Sequence, residues 1–149
     1  MKSLLLSFIF VVSLVGLSYA QMTAKNWHEK GVELYELGRF EDALNAFNTS
    51  LKLKPGNAGA WFEKGAVLHE LGRNEEGIVA VEKSLKMNPN HSNAWSLRAT
   101  FYALKGDRPN TISSLSKAFA LNPGLKVIIR NDNDFKKYRN DKDFKKLIE

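Results

Sequence analysis

The residues in this chain best suited to chemistry are its three histidines and two adjacent acid pairs. His28, His69 and His91 lie too far apart in sequence for a metal motif, which sets its ligands a few residues apart. Glu41-Asp42 and Glu75-Glu76 are the kind of paired carboxylates that acid–base catalysis uses. Both pairs, however, come just after a Gly-Arg turn, where a helix starts and its dipole favours negative charge. They read as helix-start residues rather than a catalytic pair. The absence of cysteine excludes disulfides, thiolate zinc sites and cysteine nucleophiles. No glycine-rich phosphate loop ends in a lysine, and no serine sits in a nucleophile elbow. We therefore expect no catalytic residue, metal or cofactor: the chain reads as a binding protein, not an enzyme.

The elements that carry these residues recur. Trp27, Trp61 and Trp95 are spaced by 34 residues, as are Pro55, Pro89 and Pro123, and Gly38, Gly72 and Gly106 fall in phase with them. Each unit predicts two helices. In the first, Trp27 to Leu37 is helix-compatible and ends at Gly38, a residue that tolerates the left-handed backbone of a helix stop. A second helix follows from about Phe40 to Leu53, with Ala43, Leu44, Phe47 and Leu51 on one face. Pro55, lacking an N–H, blocks its continuation. Gly31, Gly65 and Ala99, and Ser50, Ser84 and Ala118, are small where the paired helices approach. Gly77, in the middle of a helix, predicts a soft second unit, since glycine there costs about 1 kcal/mol relative to alanine.

This pattern resembles the tetratricopeptide repeat family over roughly Ala24 to Leu125, on Trp27, Gly31, Ala43, Phe47 and Pro55, then Trp61, Gly65 and Pro89, then Trp95, Ala99 and Pro123. The second unit departs from it at Gly77 and Val81, the third at Thr111 and Leu115. Lys30, Lys64 and Arg98 replace the family's leucine before the small residue, an expected loosening of packing. The resemblance implies an all-α, right-handed superhelix of three helix-turn-helix units, at residues 24–57, 58–91 and 92–125.

It also implies a concave groove lined by the first helices. The groove residues would be Lys25, His28, Glu29, Val32, Tyr35 and Glu36, then Phe62, Glu63, Ala66, His69 and Glu70, then Asn93, Ser96, Leu97, Thr100 and Leu104. His28 and His69 would line this surface, and His91 would be solvated in a loop. Family members that clamp a C-terminal carboxylate use lysine, asparagine and arginine on these faces. Here His28, Val32, Glu63 and Leu97 occupy such places with Asn93, so that mode is not expected.

Residues 126–149, with Leu125 before them, read as capping helices that cover the last unit's core. Phe135, Tyr138, Phe144, Leu147 and Ile148 form their apolar edge, and Asp134, Asp141 and Asp143 are N-cap types. At the other end, Met1-Lys2-Ser3, the apolar run Leu4 to Leu17 and Ser18-Tyr19-Ala20 have the layout of a signal peptide over residues 1–20. The alternative is an uncleaved anchor formed by residues 4–20, and only then is a membrane association expected. The formal charge of +6 is uneven. Ala24 to His91 has nine Lys/Arg against ten Asp/Glu, whereas Ser92 to Glu149 has twelve against six. An exported chain makes nucleic acid an unsuitable partner for that basic half.

The expectation is an exported adaptor, secreted or periplasmic, that binds a peptide or protein segment. The alternative is a self-associating structural component of an extracytoplasmic complex.

Overall fold

The structure, a computed structural model, describes residues 22–149; the expected signal segment, with its apolar run, lies outside them. The described residues form helices joined by short turns and no strand. They are α1 (Ala24–Glu36), α2 (Phe40–Leu53), α3 (Ala58–Glu70), α4 (Asn74–Met87), α5 (Ser92–Lys105) and α6 (Arg108–Leu121). Then come α7 (Leu125–Asn131), a 3₁₀ helix (Asn133–Tyr138) and α8 (Lys142–Ile148). Consecutive helices pair as antiparallel hairpins α1–α2, α3–α4 and α5–α6, and each hairpin stacks on the next. No described helix is long and apolar enough to cross a membrane.

The repeated residues set this geometry locally. Gly38, Gly72 and Gly106 have φ of 70°, 69° and 82°, the left-handed conformation that closes α1, α3 and α5. The following N–H groups of Arg39, Arg73 and Asp107 donate back to Leu34, Leu68 and Tyr102 carbonyls at 2.8, 2.8 and 2.9 Å. Lys54, Asn88 and Asn122 each precede a proline and are extended, because the proline ring disfavours helix at the residue before it. The 34-residue phase of tryptophan and proline has a direct cause. The indole N–H of Trp61 donates to the Pro55 carbonyl and that of Trp95 to the Pro89 carbonyl, both at 2.8 Å. Within the hairpins, Ser50 and Ser84 donate to the Ala24 and Ala58 carbonyls at 2.7 and 2.8 Å.

Two sequence expectations need revision. Gly77 is not merely soft: a methyl group built on it would lie 2.1 Å from Phe101 Cζ, so the missing side chain admits an aromatic from the next hairpin. Nor do the basic residues before the small positions simply loosen the packing. Lys64 Nζ lies 5.3 Å and Lys83 Nζ 4.2 Å from the Trp61 ring centre. The Arg98 guanidinium lies 5.7 Å from Trp95 and 4.6 Å from Tyr102 and donates to Ser114 Oγ at 2.7 Å. These are cation–π contacts that use the exposed faces of the architectural tryptophans.

The last three elements join one core with the α5–α6 hairpin. Leu125, Ile129, Phe135, Tyr138 and Phe144 are buried with Ala99, Ala103, Leu115 and Phe119, while Leu147 and Ile148 are partly buried. Phe135 and Phe144 stack at 5.9 Å. The N-caps are Asp132 and Asp141, which accept the Asp134 N–H at 2.9 Å and the Phe144 N–H at 3.1 Å. Asp134 and Asp143, expected as caps, instead sit in the first turns. Arg108 fastens α8 to the hairpin, donating to Asp141 at 2.6 and 2.9 Å and to Asp143 at 2.6 Å. That pairing holds the Asp141 carboxyl down at about 2.

Candidate functional site

The first helices of the three hairpins line, together with α7 and the 3₁₀ helix, an open cavity of about 360 Å³. Tyr35 reaches it from α1; Phe62, Ala66, His69 and Glu70 from α3; Asn93, Ser96, Leu97 and Thr100 from α5. The far wall is Leu125, Ile128, Asp132 and Asp134. The sequence places these four only in a cap, because it has no repeat register there to set them on the inner face. The three-to-four residue spacing of Phe62, Ala66 and His69, and of Asn93, Ser96, Leu97 and Thr100, puts each set on one helical stripe.

Apolar and polar groups divide the cavity. Phe62 is held edge-on by the His91 ring at 4.6 Å. His91 is not a solvated loop residue: its Nδ1 accepts the Ala94 N–H at 3.1 Å and so caps α5. Burial lowers its pKa. Tyr35 Oη donates to Glu70 Oε1 at 3.5 Å, and burial, then the Glu70 charge, raises the phenol's pKa. His69 packs edge-on against Phe101 at 5.8 Å, and its Nε2 lies 3.3 Å from Asp134 Oδ2. Burial, then the nearby Asp132, pushes the Asp134 carboxyl above its ordinary range. The wall carries three acids, Glu70, Asp132 and Asp134, and no lysine or arginine.

The other sequence-predicted groove residues do not line this cavity. Lys25 and Glu29 pair with each other on the α1 surface at 3.6 Å, both largely exposed. Val32 packs against the first core. His28 lies edge-on to Phe47 at 5.6 Å, with its Nε2 buried and without a hydrogen-bond partner among the described residues. Glu63 is half-buried; burial raises its pKa, with the nearby His28 acting in the opposite direction. Leu104 is exposed beside the 3₁₀ helix, and Glu36 is exposed at the end of α1. The acid pairs occupy first helical turns: Arg39 donates to Asp42 at 2.6 Å and Arg73 to Glu76 at 2.7 Å.

A family model described as tetratricopeptide repeat matches residues 28–89. Residues 28–89 are thus tetratricopeptide repeat sequence, and the chain as a whole shares the fold. No curated protein matches it in sequence. Among solved structures it is similar to MamA, at 18% identity and a TM-score of 0.72, covering 84% of this chain and 76% of that one. It is similar to the first tetratricopeptide domain of Spaghetti bound to the HSP90 peptide SRMEEVD, at 14% identity and a TM-score of 0.68, covering 84% and 90%. A third is PcrH in complex with the chaperone-binding region of PopD, at 22% identity and a TM-score of 0.64, covering 67% and 75%. At such identities these tetratricopeptide structures establish the shared fold alone.

Proposed function

We propose that this chain is an exported, non-enzymatic adaptor that binds a protein segment in its inner cavity, and that the segment pairs an apolar side chain with a basic one. The observation that carries this reading is the cavity's composition. Phe62, Leu97 and Ile128 offer apolar surface, while Glu70, Asp132 and Asp134 make the wall acidic, with His69 beside Asp134 and no lysine or arginine in the lining. Binding of a protein segment suits a fold whose solved relatives include complexes with the HSP90 peptide and with a region of PopD. The charge, however, points to a different ligand from SRMEEVD, whose adjacent glutamates and aspartate the acidic wall would repel. Of the residues first assigned to the groove, Tyr35, Phe62, Ala66, His69, Asn93, Ser96, Leu97 and Thr100 are proposed to touch the ligand. Lys25, His28, Glu29, Val32 and Glu63 are proposed to support or flank it.

Capture from the extracytoplasmic fraction, followed by mass spectrometry, identifies both the partner and the mature N-terminus. Tyr35→Ala combined with Phe62→Ala is expected to weaken the captured complex by at least tenfold, since buried aromatic anchors commonly exceed 2 kcal/mol. Unchanged capture by the double variant would remove the cavity as the site.

Head-to-tail self-assembly is the less favoured reading. Val67 and Phe101, fully buried, occupy the repeat position that Glu33 fills in the first unit, where it is exposed. A further copy docking there would bury that carboxylate. At the other end, the last core is already covered by Phe135, Tyr138 and Phe144. Sedimentation with and without residues 135–149 tests this: loss of an existing oligomer on truncation would restore the assembly reading.

A further inference from the structure

The geometry points to a second interaction surface, the outer face of the C-terminal cap, and we propose that it docks on an anionic lipid bilayer. The starting observation is where the charges go. Among the acids of residues 125–149, Asp132 and Asp141 cap helices, Asp134 faces His69 and Asp143 joins Arg108. Only Glu149 is left outside these contacts. Lys126, Lys136, Lys137, Lys142, Lys145 and Lys146 form no ion pair among the described residues, and all but Lys126 are exposed. Folding thus turns the negative charges to structural use and leaves the positive ones facing out.

These cations share one end of the molecule. α7, the 3₁₀ helix and α8 bury Leu125, Ile129, Phe135, Tyr138 and Phe144 in a single cluster against the α5–α6 hairpin. Their opposite faces therefore form the outer surface of the cap. On α8, Lys142, Lys145 and Lys146 fall at helical spacing on the side away from Phe144. On α7, Val127 and Ile128 are 64% and 63% exposed, between Lys126 and Arg130 in sequence.

Lysines around protruding aliphatic side chains suit a bilayer interface, where headgroups take the charge and the acyl boundary takes the apolar groups. Single-stranded nucleic acid would need aromatic platforms on the basic face, and the cap's aromatics Phe135, Tyr138 and Phe144 all point inward. Ile128 also borders the inner cavity, so membrane docking would present the cavity mouth beside the lipid surface. The docking surface rests on its own charges and does not depend on the cavity's ligand.

Flotation of the full chain with vesicles of pure phosphatidylcholine, and with vesicles containing phosphatidylglycerol, tests the proposal. An apolar N-terminal segment partitions into both, so the difference between the two reads electrostatic attraction, and the lysine variants assign it to the cap. Binding to the anionic vesicles is expected to exceed binding to the neutral ones and to fall as salt is raised. Lys142→Gln, Lys145→Gln and Lys146→Gln together should remove about 100-fold of that difference, at roughly fivefold per lysine. Val127→Ser should weaken anionic binding further, with the helical circular dichroism unchanged in both variants. Equal binding to both vesicles, an unchanged difference in the triple variant, or capture of an acidic protein with no vesicle binding would overturn the proposal.

Discussion

Replacing Gly77 by alanine sets two physical rules against each other. In an exposed helix interior the change would stabilise by about 1 kcal/mol, through helix propensity and a less flexible unfolded chain. At this position the new methyl would lie 2.1 Å from Phe101 Cζ, far inside van der Waals contact. Phe101 is fully buried and wedged among Val81, Leu85 and Ala94, so it has no solvent side to retreat to. Overpacking of such a core costs about 1–3 kcal/mol. The clash falls on the ring rather than a flexible chain end, so the upper part of that range applies. The expected net effect is a loss of about 1–2 kcal/mol. Urea unfolding followed by far-ultraviolet circular dichroism measures it. Phe101→Leu added to Gly77→Ala should recover part of the loss, because the smaller side chain vacates the methyl's position. A Gly77→Ala protein at least as stable as the parent would refute the reasoning. Because Phe101 also backs His69 at 5.8 Å, the same variant should weaken the captured complex if the cavity is the binding site.

Other measurements bear on the repeat contacts and the cap. Trp61→Phe keeps an aromatic ring but loses the pyrrole half of the indole with its donor to the Pro55 carbonyl, so a loss of at least about 1 kcal/mol is expected in the same urea assay. The Arg108–Asp141 pair makes a pH prediction. The Asp141 carboxyl falls from 3.8 to about 2 in the folded chain. Its contribution is therefore complete above the unfolded value and is lost as pH falls through the folded one. Thermal melts of Asp141→Asn and the parent should differ at neutral pH and converge toward pH 2, since asparagine still caps α8; a gap constant with pH would contradict this.

The repeat made most of the architecture legible in the sequence alone. Left-handed glycines, pre-proline breaks and the Trp–Pro hydrogen bond are short-range requirements, met within six residues. Such requirements recur with every unit, so Trp27, Gly38 and Pro55 announce themselves through their echoes. The stripe from Phe62 to His69 and the stripe from Asn93 to Thr100 were readable for the same reason. What tertiary structure alone decided lies between elements that have no echo. The His69–Asp134 contact, the Arg108–Asp141 pair and the seat of Phe101 over Gly77 join residues far apart in sequence. Residues 125–149 carry a compositional sign of a cap but no period from which to place Ile128 or Asp134 against the inner face. Helical periodicity determines which side of a helix is apolar; only packing determines which neighbour meets it. The repeat was therefore settled by the chain itself, and the acidic cavity wall and basic outer cap by the way the last helices fold back on it.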